Sequence, residues 1–147
     1  MKQRQGGFLI SKVHRTAGRV FSRMLREQNI EINPAQGRIL FVLWQEGPMS
    51  ALELANRVSL GKSTLTSALD RLESQGQVVR VPCSDDKRRI IIELTPQNKA
   101  MHRLYQSVSK EMTAAFYSGF SDDEVAKFEQ CLERILTNLS KVESGQG

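Results

Sequence analysis

Residues 54–95 read LANRVSLGKSTLTSALDRLESQGQVVRVPCSDDKRRIIIELT, and the order of patterns in this stretch decides the fold. Two short helical patterns come first, the second polar on one side, and two β-branched runs come next around a loop containing Asp85-Asp86-Lys87-Arg88-Arg89. In the second helical pattern, about Lys62 to Gln75, a rotation of 100° per residue gathers Leu65, Ala68, Leu69 and Leu72 on one side. Lys62, Ser63, Thr66, Ser67 and Asp70 fall opposite them, all short or polar enough to approach a surface closely. Hydroxyls of this kind contact phosphates or base edges, and a lysine near the helix start adds charge beside the positive end of the helix dipole. Seen alone, the face is as readily a solvated one.

The next segment shifts that balance. Val78-Val79-Arg80-Val81 and Ile90-Ile91-Ile92-Glu93-Leu94 bound an eight-residue polar stretch, the signature of a hairpin. Strands hold Lys87, Arg88 and Arg89 at its tip, which limits the entropy lost when they bind phosphate. Asp86 is placed to form a charge-assisted bond with Arg88 and aim the guanidinium outward. An arginine so presented suits the narrow, electronegative minor groove beside a helix-filled major groove. A bare charge run is usually a solvated loop, but joined to a helix-turn-helix it reads as the wing of a DNA-binding unit.

Outward from this centre, apolar residues at Ile10, Val13, Ala17, Val20 and Met24 predict an amphipathic helix over residues 8–28. Asn33-Pro34 then gives an N-cap with proline at the first helical position. Ile39 to Trp44 is apolar almost all round, so that helix is expected to be central, with Phe41 and Trp44 in the core or lining a pocket. Gly47-Pro48 ends it, and Ser50-Ala51-Leu52-Glu53 has the capping-box spacing for a short helix with Leu54, Ala55 and Val58 inward. Beyond the hairpin, Thr95-Pro96 is expected to cap a helix whose Leu104, Val108, Met112 and Phe116 recur every four residues. Ser121-x-x-Glu124 caps a last helix, where Val125, Phe128, Leu132, Ile135, Leu139 and Val142 have heptad spacing. These seams exceed what a monomer of this size needs, unless they pack against each other within one chain.

The chain resembles the multiple-antibiotic-resistance regulator (MarR) family of winged-helix transcription factors. The resemblance rests on Leu65-Thr66-Ser67-Ala68-Leu69-Asp70-Arg71-Leu72-Glu73 followed by Gly76, and on Asp86-Lys87-Arg88-Arg89 with Leu94-Thr95. It implies a mainly α (α+β) fold, a winged helix-turn-helix whose N- and C-terminal helices form a dimerisation layer. Residues 1–33 would be the N-terminal dimerisation helix, 34–95 the DNA-binding region and 96–147 the C-terminal dimerisation helices, in a single compact domain. It further implies Asp86 as the orienting carboxylate, Arg88 as the wing arginine, and Ser63, Thr66 and Ser67 as groove-facing residues. With Lys62 and Arg71 these make the recognition-helix set, and Lys87 and Arg89 complete the wing. The implied partner is double-stranded DNA, a pseudo-palindromic operator bound by a homodimer with half-sites about one turn, ~34 Å, apart. Two positions depart from the family pattern. Asn98 stands where glycine is usual, a change expected to be harmless, and Ser67 stands where arginine is frequent, which bears on the bases read.

Composition agrees. The formal charge of +5 favours a polyanionic partner. Residues 1 to 26 carry seven cations (Lys2, Arg4, Lys12, Arg15, Arg19, Arg23, Arg26) and no acid, whereas 121 to 147 carry six acids against three cations. Pairing of these two segments in a dimer interface is therefore expected. Cys83 and Cys131 lie far apart and in no metal-ligand spacing, so no disulfide framework, metal or cofactor is expected. No apolar run suits a membrane span or signal peptide, which makes the expected compartment cytoplasmic.

Gly61-Lys62-Ser63-Thr64 resembles the end of a phosphate-binding loop, but Asn56 occupies the first glycine position and a helix precedes it. His14 and His102 sit on different helices with no nucleophile or carboxylate motif, so no enzyme is expected. Many members of the family release DNA when a small aromatic or anionic molecule binds. The corresponding expectation is a repressor with an effector pocket among Arg15, Arg19, Arg38, Phe41 and Trp44. Two alternatives stay open: a winged-helix module that binds proteins, and a redox-responsive regulator using Cys83, which borders the wing.

Overall fold

The computed structural model describes residues 2–145, and the expected helices and hairpin are all present. Helix α1 spans Gly6–Glu27 and α2 spans Pro34–Glu46. Strand β1, Met49–Ser50, leads into α3, Ala51–Val58, and then α4, Lys62–Ser74. Strands β2, Val78–Pro82, and β3, Ile90–Leu94, form the hairpin; α5 covers Asn98–Phe116 and α6 covers Asp122–Glu143. Among the described residues no helix is long and apolar enough to cross a membrane.

The sheet is antiparallel with order β1-β3-β2. Val78 pairs with Leu94, Arg80 with Ile92 and Pro82 with Ile90, while on the other edge of β3 Met49 pairs with Ile92 and Ser50 with Ile91. The sequence reading missed β1, because two residues are too few to show alternation. This strand also revises the start of α3. Ser50 caps the helix through Oγ, which accepts from the Glu53 N–H at 3.1 Å, but the Glu53 carboxylate is taken by Ser50 Oγ itself and by Arg89. The reciprocal half of a capping box does not form there.

The main core is built where sequence spacing put it. Ile39, Leu40 and Leu43 of α2, Leu54 and Val58 of α3, and Leu65, Ala68, Leu69 and Leu72 of α4 pack with Val78 and Ile92 of the sheet. Each fully buried leucine of this kind contributes about 1.5–3 kcal/mol. A capping box joins Asn33 and Gln36 at the start of α2, with Gln36 fully buried. Gln36 Nε2 continues to Gln75 Oε1 at 3.0 Å, and Gln75 Nε2 donates to the Glu31 carbonyl at 3.1 Å, so the start of α2 and the end of α4 share one polar chain.

Phe41 is not in the core. It faces solvent at 52% exposure, because α2 packs Ile39, Leu40 and Leu43 inward and leaves the intervening side open. Thr95 likewise does not use its hydroxyl to cap α5; the hydroxyl donates to the Gly76 carbonyl, and α5 begins instead from backbone bonds of Asn98 and Lys99 to Thr95 and Pro96.

A second, smaller core joins Leu25 and Ile30 at the end of α1 to Val108 of α5, with Phe21 and Tyr105 edge to face at 5.5 Å. The N-terminal half of α1 has no such cover, and Phe8, Leu9, Ile10 and Val13 are exposed. By internal contacts the chain divides into two compact units, residues 1–112 and 113–147, with the boundary inside α5. In the second unit Tyr117 donates to Glu129 at 2.7 Å and packs against Phe128, and α6 starts from a capping box of Ser121 and Glu124. No residue of α6 is buried; Leu136, Leu139 and Val142 are each more than half exposed.

Candidate nucleic-acid interface

Helix α4 presents the two faces its spacing dictates. Leu65, Ala68, Leu69 and Leu72 are buried, while Lys62, Ser63, Thr66, Ser67, Asp70 and Arg71 are exposed. Ser63, Ser67 and Arg71, one turn apart in succession, line a surface groove of about 300 Å³ together with Asn33 at the start of α2. Thr66 differs from the serines in that its hydroxyl donates back to the Lys62 carbonyl at 2.9 Å. Its methyl and its remaining lone pairs are what it offers outward.

The wing is organised by Asp86. Its Oδ1 accepts from the Arg88 backbone N–H at 3.0 Å and from Arg88 Nε at 3.2 Å, and the backbone is closed further by Arg89 N–H to the Asp86 carbonyl at 2.9 Å. The Arg88 N–H first, then its guanidinium, holds the Asp86 carboxyl below the usual carboxylate range. The Arg88 side chain is nevertheless 92% exposed, so its two terminal amino groups remain available. Lys87 is exposed beside it.

Arg89 is placed differently from its neighbours. Its guanidinium pairs with Glu53 of α3 at 2.8 Å, which ties the wing to the helix-turn-helix. Arg80 of β2 makes a second tie, reaching Asp70 at 2.9 Å and Glu73 at 3.2 Å on α4. Neither tie was read from the sequence. For Arg80 a signal existed, since Asp70 and Glu73 are three apart on one helix face and face a cation on the next strand. For Glu53 and Arg89, thirty-six residues apart, no local pattern marks the contact.

The residues proposed for an effector pocket separate into two groups. Arg38 and Phe41 line a cavity of about 240 Å³ with Phe21 and Leu25. Phe41 and Trp44 line another of about 480 Å³ with His102, Gln106, Ser109 and Lys110, and Tyr105 borders both. Arg15 and Arg19 line neither; the Arg19 guanidinium bonds instead to Thr16 on its own helix. Burial pushes the Tyr105 phenol up, so it stays protonated and can donate. Cys83 is half-buried at the end of β2, with its backbone N–H on the Arg89 carbonyl.

Comparison with known proteins points the same way as this geometry. The MarR family model matches residues 32–90, the stretch from the start of α2 to the start of β3. The transcriptional regulator FarR of Neisseria gonorrhoeae is 31% identical over 125 residues, 84% of this chain and 80% of that protein. The multiple antibiotic resistance protein MarR of Salmonella typhimurium is 29% identical over 131 residues, 88% of this chain and 90% of that protein. Among solved structures, a mutant of MarR from Escherichia coli complexed with operator DNA superposes with a TM-score of 0.79 at 30% identity, covering 88% of this chain and 92% of that one. These relatives are regulators of transcription, not enzymes. With the helix, the turn and the basic hairpin in their expected order and this extent of shared sequence, the chain belongs to the MarR family of transcriptional regulators.

Proposed function

We propose that the chain is a sequence-specific double-stranded-DNA-binding regulator, and a repressor, acting as a homodimer on a pseudo-palindromic operator. The observation that carries this reading is the pairing of a free polar face on α4 with a wing whose Arg88 is ordered at Nε by Asp86 yet almost fully exposed. Lys62, Ser63, Thr66, Ser67 and Arg71 would enter the major groove, with Lys87 and Arg88 at the adjacent minor groove. Arg89, paired with Glu53, serves the wing's position more than its charge. Exposed apolar residues along α1 and α6 support the homodimer, since such stripes in water favour burial against a second copy. The cavities walled by Phe41, Trp44 and Tyr105, with Arg38 or Lys110 at their borders, suit a small aromatic or anionic effector that relieves repression. Such a molecule releases DNA only by binding better to the free conformation than to the DNA-bound one.

Selection of bound sequences from a random duplex pool tests the reading. A pseudo-palindrome with half-sites about one turn apart is expected; binding with no enriched sequence would overturn sequence specificity. Repeating the assay with aromatic carboxylic acids tests effector relief, and DNA retention at saturating acid would overturn it for that ligand class.

A further inference from the structure

Asn98 is buried to 2% exposure, and both ends of its amide are used across different parts of the fold. Its Oδ1 accepts from Trp44 Nε1 on α2, and its Nδ2 donates at 2.8 Å to Gln77 Oε1, in the residue immediately before β2. Trp44 in turn lies flat against His102, with ring centroids 4.3 Å apart and planes 9° apart, and the pair walls the cavity of about 480 Å³. The substitution at the usual family glycine is thus not the neutral change its sequence suggests. A buried amide is costly unless every polar atom is paired, and here the pairing joins a cavity wall to the root of the wing.

We infer that Asn98 is a positioning residue that couples Trp44 to the wing through Gln77. The coupling runs through two hydrogen bonds in series, Trp44 to Asn98 and Asn98 to Gln77. Rotation of the indole removes the partner of Asn98 Oδ1, and the amide can recover it only by turning, which breaks its bond to Gln77. In the other direction, a shift of β2 on docking the wing moves Gln77 and is felt at the indole. The inference rests on the proposed DNA-binding function and adds a route by which the cavity and the wing sense each other.

Trp44 is the single tryptophan of the chain, so its emission reports on this link directly. The experiment uses the full chain and saturating amounts of a duplex obtained by selection from the random pool. Addition of duplex is expected to shift Trp44 emission in the unaltered protein. In Gln77→Leu, which leaves the Trp44–Asn98 bond in place, the free protein should keep its emission while the DNA-induced shift is lost. Gln77→Glu retains the acceptor oxygen and should restore the shift at saturation, even if more duplex is needed. Asn98→Gly should abolish the shift and weaken binding roughly fivefold, the size of one hydrogen bond's net contribution. A DNA-induced shift of equal size in Gln77→Leu, or none in the unaltered chain although duplex is bound, overturns the coupling. Failure of the unaltered chain to bind any duplex overturns the DNA-binding function itself, and the coupling falls with it.

Discussion

Replacing Arg88 with alanine should separate the wing's part in binding from its part in folding. The side chain is 92% exposed and its one described ion pair is with Asp86 two residues away, so its removal leaves no cavity. The melting temperature should therefore stay unchanged. Affinity for a selected duplex should fall about tenfold, the middle of the range for losing one specific arginine contact. The slope of log affinity against log salt should become shallower by roughly 0.9 per lost phosphate contact, per subunit. Asp86→Ala makes the companion test. An unrestrained arginine loses on the order of 2 kcal/mol of rotamer freedom when fixed; a tether at Nε that removes half of this corresponds to roughly fivefold in affinity. Because the charge of Arg88 survives, the salt slope should not change in this variant. The double variant should then lose little more than Arg88→Ala alone, since Asp86 acts through Arg88. The lowered carboxyl of Asp86 sets the sign of the pH effect: the tether is complete above the ordinary carboxylate range and is lost as pH falls through the depressed value. The Asp86→Ala deficit should therefore be constant from about pH 5 to about pH 8. Fluorescence anisotropy with labelled duplex measures all of these, and equal affinity of Arg88→Ala and the unaltered chain for the best site would refute the reasoning.

Gly76→Ala should destabilise the fold by about 1–2 kcal/mol, because φ is +73° and a side chain there is strained in the left-handed region; the urea midpoint reports it, and the nearby Gln97 side-chain oxygen adds little, being free to swing away. Arg80→Met keeps the aliphatic stem but removes both ion pairs to α4; since the partners are half-exposed, the loss should be about 1 kcal/mol by the same assay. Asn33→Ala removes the cap of α2 and should cost about 1–2 kcal/mol, with Asn33→Ser recovering most of it.

The helix faces and the hairpin were legible because each is a local periodicity: Leu65, Ala68, Leu69 and Leu72 keep helical spacing, and the runs 78–81 and 90–94 flank a polar loop. The Asp86–Arg88 contact was legible for the same reason, spanning two residues. Polar links between distant segments were not. Glu53 reads as a capping residue, yet it anchors Arg89; Asn98 reads as a neutral departure, yet it holds Trp44 and Gln77; Gln36 and Gln75 read as ordinary polar positions, yet one is fully buried against the other. Such pairings depend on which elements the fold brings together, and nothing in the spacing of one element records its neighbour. Phe41 shows the converse limit. An all-apolar stretch suggests burial on every side, but α2 has fewer partners than apolar faces within this chain.

Equilibrium binding to a duplex carrying two selected half-sites, measured across a salt series, tests the central claim most directly. The account predicts that log affinity falls linearly with log salt, with a slope of several units at roughly 0.9 per phosphate contact, and that scrambling one half-site weakens binding at every salt concentration. A salt-independent affinity, or equal affinity for the scrambled duplex, would contradict it.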